Sequence, residues 1–151
     1  MIEPDIDTRA GWLGLLALTA QAPLLALAEP RLIDEPYTLL RGPETGLVMA
    51  NARIDGAGNR FNLAEVPVSR CTVRSARGPA GVGYRMGRCP QAVLCIARLD
   101  ALLQSPEHAP RLREELLAPL LARLRAGWLR EDALSASSRV RFDTLTPETL
   151  S

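Results

Sequence analysis

Residues 47–59, LVMANARIDGAGN, carry the clearest indication of fold class in this chain. The side chains of residues 47–54 alternate with a period of two, which is the repeat of a β-strand, because successive side chains point to opposite faces. The end of the stretch, Asp55 to Asn59, contains residues that tolerate positive φ, and it predicts a hairpin turn. Residues 60–63 then return beside the first strand, so the stretch predicts an antiparallel hairpin.

The hairpin extends downstream into a larger predicted sheet. Residues 66–77 read as a longer strand, with Pro67 indicating an edge or an irregular start. Residues 78–81 predict a second turn, and residues 82–86 return beside the longer strand. These connections are too short for crossover helices, so we predict an antiparallel sheet of about four strands.

The residues before the sheet predict two helices. Trp12, Leu15, Leu16 and Thr19 follow helical spacing, and Thr8 can cap their helix. Pro is tolerated in a first helical turn, so Pro23 predicts the start of a second helix. Pro30 predicts its end, because Pro removes a backbone donor and obstructs the preceding turn.

The residues after the sheet are also predicted to be helical. Pro90 can begin a helix that runs to about Gln104, and its broad apolar surface indicates a buried helix. Leucines recur every four residues from Leu112 to Leu124, and Pro119 should kink or split that helix. Val140 and Phe142 predict a short terminal strand or an arm. The sequence therefore predicts one α+β domain over residues 1–151, in which a central antiparallel sheet is flanked by N-terminal and C-terminal helices.

Composition excludes several chemistries. The 18 basic residues are all Arg, against 17 acidic residues, and the chain has one histidine, His108. Without Lys there is no Walker-type phosphate loop and no Schiff-base lysine. A net charge of +1 and few aromatic side chains argue against nucleic-acid binding. Gly78, Gly81 and Gly83 resemble a phosphate-binding loop only superficially, because no helix is predicted to open after them.

The cysteines give no sign of a disulfide framework or a metal site. Cys71, Cys89 and Cys95 are odd in number, and no C-x-x-C occurs. Cys89 and Cys95 would face different directions on a helix, and His108 lies among loop residues. The apolar stretch at residues 11–20 follows a net negative segment and is too short to span a membrane, so we expect a cytoplasmic protein.

Three arginines of the predicted sheet are candidate anion or partner contacts. Arg70 and Arg74 share a strand face, and a turn at residues 78–81 would place Arg74 directly opposite Arg85. Two opposed like charges are destabilising unless an anion lies between them. The alternative is that these guanidiniums extend into water. Glu44, just before a strand, is the most singular acidic residue, and spacing alone assigns it no role.

The middle of the chain is similar to a known family. Residues 41–49, RGPETGLVM, resemble the R-x-x-E-T-G-L-V segment of the PhnG family, and residues 100–104, DALLQ, resemble a later segment at the expected separation. The likeness continues through Ala52-Arg53, Gly56, Gly58, residues 60–63, Glu65-Val66, Arg70-Cys71, Val73-Arg74, Gly83-Tyr84 and Gly87-Arg88. Weaker matches are Arg9, Trp12, residues 118–120, Arg139-Val140, Phe142 and Thr144.

The resemblance implies a subunit of the bacterial carbon–phosphorus lyase core complex. PhnG-like proteins act with PhnI-, PhnH- and PhnL-like subunits to displace adenine from ATP with a phosphonate, giving ribose 1-phosphonate 5-triphosphate. A PhnJ-like radical subunit carries an iron–sulfur cluster and uses SAM to break the carbon–phosphorus bond later. The resemblance implies an assembly role beside a PhnI-like catalytic subunit, with no catalytic residue, cofactor or metal site in this chain.

Two departures from the family pattern limit what the resemblance carries over. The family usually reads G-R-D followed by a His-Ala-Glu cluster, whereas this chain has Cys89-Pro90 and then Ala92-Val93-Leu94. Roles of that His and Glu are therefore not transferred. The competing hypothesis is a small stand-alone protein that binds phosphorylated ligands through Arg70, Arg74 and Arg85.

Overall fold

Three antiparallel strands and five helices make up the part of the chain that the computed structural model describes, residues 2–76 and 78–137. The sheet order is β1-β2-β3. The elements in chain order are α1 (Arg9–Leu18), α2 (Gln21–Leu32), β1 (Tyr37–Arg53), β2 (Arg60–Ser75), β3 (Ala80–Met86), α3 (Pro90–Leu103), α4 (Ala109–Leu112) and α5 (Ala118–Ser137). This arrangement confirms the predicted α+β class with helices before and after the sheet. Val140 and Phe142, the predicted terminal strand, lie outside the described residues.

The described sheet has one strand fewer than the predicted four, because residues 60–63 and 66–77 do not form separate strands. Residues 60–75 form the continuous strand β2, in which Ala64 pairs with Ala50 and Val66 with Val48. β1 begins at Tyr37, well before the predicted start. Bulges between Leu39 and Glu44 interrupt the alternation there, so a period of two does not reveal this part of the strand.

The register between β2 and β3 differs from the predicted one. Arg74 pairs with Ala80, and Arg85 pairs with Ser69, so the predicted opposition of Arg74 and Arg85 is wrong. The turn lies earlier than predicted, because β3 already begins at Ala80 and the Ser75 amide donates to the Pro79 carbonyl at 3.0 Å.

The glycines explain the error in register. Gly81 was assigned to the turn, but it is a strand residue packed against α3. A Cβ atom there would lie 2.0 Å from the Ala97 carbonyl oxygen, and a Cβ at Gly83 would lie 2.0 Å from that of Val93. These two glycines therefore permit close strand–helix packing. Gly78, with a φ of 120°, occupies the turn itself.

The buried helix α3 is the centre of the structure and confirms the prediction made from its apolar surface. One side of α3 packs on the sheet, where Cys71 and Val73 contact Val93, Ala97 and Ala101. Its other buried residues join the remaining helices in a leucine-rich core, which includes Leu15, Leu16, Leu24, Ile96, Leu99, Leu103, Leu116, Leu117 and Leu120. The helical core therefore lies on one side of the sheet.

Side-chain hydrogen bonds are found at the start of α1 and at the end of α2. Thr8 accepts a hydrogen bond from the Gly11 amide at 3.2 Å, which confirms it as the cap of α1. The prediction that Pro30 ends the second helix is wrong by two residues, since α2 continues to Leu32. Arg98 of α3 donates to the carbonyl of Leu32, the last residue of α2, and to the carbonyl of Glu35 beyond it, and so joins the end of α2 to α3.

The interruption predicted at Pro119 takes the form of a π-helical turn, Arg113–Leu117, between α4 and α5. Pro119 has no backbone N–H, so the Glu115 carbonyl four residues earlier has no helical donor. Arg31 of α2 donates to that carbonyl oxygen at 3.3 Å. The helix thus remains continuous across the proline, and the freed acceptor joins it to α2.

A long hairpin extends beyond the helical layer. None of the described side chains in β1 is buried, nor is any in residues 60–67 of β2. A short 3₁₀ turn, Ile54–Gly56, connects the strands and confirms the predicted hairpin turn. Within the described residues, no helix has the length and apolar character needed to cross a bilayer.

Candidate functional site

Glu44 and Arg70, two of the residues singled out in the sequence, form an ion pair on the exposed face of the sheet. Arg70 donates through Nε to Glu44 Oε1, and Arg41 Nε lies 2.7 Å from the same oxygen. The three side chains are 42–53% exposed. The Arg70 hydrogen bond, supported by the charges of both arginines, lowers the pKa of Glu44 from its ordinary value. Arg70 therefore already has a carboxylate partner within this chain.

The structure separates the three candidate arginines. Arg70 and Arg74 are exposed and lie on one face of β2, as predicted from their spacing. Arg85 follows Gly81 and Gly83 at intervals of two, so it lies on the opposite face, which packs against α3. The face that holds Arg70 and Arg74 therefore does not include the third arginine.

A chain of hydrogen bonds joins β1, β2 and the start of α3. The Ser69 hydroxyl lies 2.8 Å from the Thr45 hydroxyl and donates to the Gly87 carbonyl at 2.7 Å. It also accepts from the Cys89 amide at 3.0 Å. Cys89 occupies the N-cap of α3 without a side-chain capping bond, and Pro90 takes the first helical position. Ser69 thus positions the helix start where the family aspartate is replaced.

The largest polar cluster of the described residues surrounds Asp100, whose side chain is fully buried in α3. Arg9 binds the carboxylate through two nitrogens, with distances of 3.1 Å from Nε to Oδ1 and 2.7 Å from Nη2 to Oδ2. Trp12 Nε1 donates at 2.9 Å, and the Val82 amide donates at 2.9 Å. One carboxylate therefore joins α1, β3 and α3.

Gln104 completes this cluster at the end of α3. Its side-chain amide donates to the Ala80 carbonyl at 2.8 Å and to the Asp100 carbonyl at 3.1 Å. Asp100 and Gln104 are the first and last residues of the DALLQ segment, and Arg9 and Trp12 are the weaker N-terminal matches. Residues that carry the resemblance thus meet in a network that joins elements of the fold.

Sequence reasoning did not predict the Asp100 network. Asp100 follows Leu99 in an otherwise apolar helical stretch, and a buried carboxylate must find donors or a counter-charge. That position was the available signal, but the sequence does not say which of 18 arginines would reach it.

The described residues offer few groups for acid–base or metal chemistry. They contain no cluster of three or more histidine, cysteine or acidic side chains suited to a metal ion. Cys71, Cys89 and Cys95 are free thiols, and burial raises the pKa of Cys95 to about 12. His108 lies in the turn before α4, in agreement with its assignment to a loop.

A groove of about 430 Å³ lies between α2 and α3. Leu94 lines this groove together with Gln91, Cys95 and Leu25. Glu29 and Arg98 are its charged residues.

Comparison with known proteins places these observations in a family. Residues 7–147 match the family described as phosphonate metabolism protein PhnG. The chain is also 41% identical over 133 residues to the alpha-D-ribose 1-methylphosphonate 5-triphosphate synthase subunit PhnG of Rhizobium meliloti (strain 1021). That alignment covers 86% of this chain and 85% of its relative.

Proposed function

The chain belongs to the PhnG family, and from this we propose that it is a subunit of a ribose 1-methylphosphonate 5-triphosphate synthase in phosphonate catabolism. The proposed complex displaces adenine from ATP with a phosphonate and forms ribose 1-phosphonate 5-triphosphate. The observation that carries the proposal is the match over residues 7–147, together with the relative's identity as a subunit of that synthase. ATP is then a substrate of the complex.

The role that we assign to this chain is assembly rather than catalysis. Asp100, Arg9 and Trp12 are engaged in joining α1 to α3. Glu44 and Arg70 neutralise each other. This use of polar residues supports a structural subunit, because general acid–base catalysis needs titratable groups that can reach a substrate.

We assign the chemistry to partner subunits. A PhnI-like chain supplies the catalytic residues for adenine displacement, with PhnH-like and PhnL-like chains in the same assembly. A PhnJ-like chain holds the iron–sulfur cluster and uses SAM for the later bond cleavage. The proposed location of this hetero-oligomer is the cytoplasm.

The competing proposal is a stand-alone protein that binds phosphorylated ligands through the sheet arginines. The separation of Arg85 from Arg70 and Arg74, and the ion pair of Arg70 with Glu44, make it the weaker of the two. Calorimetry with ATP and ribose phosphates on the isolated chain decides between them. Micromolar binding without partners would favour the competing proposal.

The assembly proposal is tested by reconstitution. The PhnI-, PhnH- and PhnL-like subunits are co-expressed with and without this chain, and adenine release from ATP and methylphosphonate is measured. We expect release by the full set, no release by this chain alone, and loss of activity when this chain is omitted. Full activity of the partners without it would contradict the proposed role.

A further inference from the structure

The distal part of the β1–β2 hairpin, residues 47–67, is a two-stranded ribbon that β3 does not flank, and at its base the Gly87 amide donates to the Pro67 carbonyl at 2.7 Å. We call it the hairpin arm. The last pair between β2 and β3 joins Val68 to Met86, whereas β1 and β2 continue from the pair Leu47–Pro67 to the pair Arg53–Arg60. None of the described side chains in the arm is buried. An isolated two-stranded hairpin is marginally stable in water, so the arm needs a further contact.

Both faces of the arm carry exposed apolar side chains. Leu47 is 60% exposed and its neighbour Val48 is 43% exposed, and consecutive strand residues point to opposite faces. Ile54, Phe61 and Leu63 extend this surface to the tip, with exposures of 42–63%. Several exposed apolar side chains on one element are typical of a protein–protein interface. Because apolar groups lie on both faces, the surface that covers them must enclose the arm.

The tip of the arm carries two positively charged side chains that face each other. Arg53 and Arg60 are paired directly across the two strands, and no described side chain forms a salt bridge with either one. The Arg53 guanidinium makes one long hydrogen bond, to the Gly58 carbonyl at 3.5 Å. Like charges directly opposite each other destabilise a strand pair. A carboxylate brought to the tip would relieve this repulsion and bind both planar guanidiniums.

We infer that the hairpin arm inserts into an apolar groove of a different subunit of the synthase, and that this groove ends in one or more carboxylates that bind Arg53 and Arg60. The inference rests on the proposed function, since it takes its occupant from the same assembly. A second copy of this chain is the disfavoured occupant, because a symmetric pair joined through the tips would bring four guanidiniums together.

The test uses charge reversal at the tip within the complete chain. Tagged wild-type chain, the double variant Arg53→Glu with Arg60→Glu, and the control Arg130→Glu are each co-expressed with the other subunits and purified. Arg130 is exposed on α5, outside the arm. We expect the double variant to bind its partner at least about tenfold more weakly, because it places like charges in a buried contact. The control should bind as the wild type does.

The outcomes separate this inference from the proposed function. If the wild type retains no other subunit, the proposed function fails. If the wild type and the double variant bind equally well, the hairpin-arm inference is overturned and the proposed function stands.

Photo-crosslinking gives a second readout that does not depend on charge reversal or on the folding of the double variant. Phe61 at the tip is replaced by p-benzoylphenylalanine, and the co-expressed chains are irradiated. A crosslink to a different subunit supports the inference, whereas a crosslink to a second copy alone, or none at all, overturns it.

Discussion

At the scale of single residues, Asp100 joins three elements of the described fold, α1, β3 and α3. Replacing it by Ala would leave the Trp12 Nε1 and Val82 amide donors without their acceptor and Arg9 without its counter-charge. We expect Asp100→Ala to lower the free energy of unfolding by about 3 kcal/mol. Urea unfolding measures this change, with Asp132→Ala on an exposed part of α5 as control. A loss no larger than that of the control would contradict the role of Asp100.

A substitution at Cys89 is predicted to stabilise the protein. It occupies the N-cap of α3 without a side-chain capping bond. An aspartate can accept from a free amide of the first turn and interacts favourably with the helix dipole. We expect Cys89→Asp to raise the free energy of unfolding by about 0.5–1 kcal/mol. Cys89→Ala, which cannot cap, should give no gain, and an equal gain from both variants would refute the explanation.

Glu44 predicts a local dependence on pH. Its pKa is lowered from the ordinary value of 4.5, first by the hydrogen bond from Arg70 and then by the charges of Arg41 and Arg70. A carboxyl with a depressed folded pKa contributes stability above its unfolded pKa, and this contribution is lost as the pH falls through the folded pKa. Carbon-detected NMR titration should show that Arg70→Ala raises the pKa of Glu44, whereas Arg74→Ala leaves it unchanged. An unchanged pKa in Arg70→Ala would exclude the ion pair in solution.

At the scale of elements, the contact of β3 with α3 depends on glycine. A Cβ at Gly83 would overlap the Val93 carbonyl, whereas a Cβ at Gly14 in α1 would meet nothing within 4 Å. We expect Gly83→Ala to destabilise the protein by about 2–3 kcal/mol, because strand and helix must separate. Gly14→Ala should stabilise it by about 0.5–1 kcal/mol through helix propensity. Thermal unfolding of both variants measures these changes. Equal effects on stability would show that the contact of β3 with α3 does not require glycine at position 83.

The same elements show which parts of the fold can be predicted from sequence. The helical periodicity of residues 12–19 and the apolar surface of residues 90–104 report local geometry, and α1 and α3 were predicted close to their observed limits. The β2–β3 register was predicted incorrectly. The sequence alone does not distinguish a glycine in a turn from a strand glycine that packs against a helix. Early β1 was missed because its bulges interrupt the alternation of side chains.

The contacts of the candidate site were also not predicted from the sequence, because they join residues that are far apart in the chain. Glu44 and Arg70 were both singled out, but spacing alone did not pair them, because they are 26 residues apart and meet only through the β1–β2 register. The Asp100 cluster joins residues up to 91 positions apart. The resemblance identified its members, and the structure supplies their physical role.

At the scale of the whole molecule, the buried polar side chains of Asp100 and Ser69 join elements of the fold, whereas many exposed apolar side chains lie on the hairpin arm and neighbouring sheet residues. Tyr84 and Met86 of β3 are 54% and 68% exposed. A chain with this distribution is expected to gain stability from partner subunits, because binding to the folded state shifts the unfolding equilibrium. The assembled chain should therefore resist proteolysis within residues 47–67 better than the isolated chain does.

Limited proteolysis followed by mass spectrometry measures that difference. The isolated chain should be cleaved first at Arg53 or Arg60, which are exposed on the arm. In the complex these sites should be protected, while Arg130 on exposed α5 serves as an internal comparison. Equal cleavage of the arm with and without partners would show that it remains in solvent.

The most direct measurement is the mass of the species that carries this chain when it is tagged and co-expressed with PhnI-, PhnH-, PhnJ- and PhnL-like subunits. Size-exclusion chromatography with light scattering, followed by identification of the co-purified chains, is predicted to give a hetero-oligomer that contains the PhnI-like subunit in constant ratio. Elution of the tagged chain as a stable, soluble monomer without that subunit would contradict its role as an assembly subunit of the synthase.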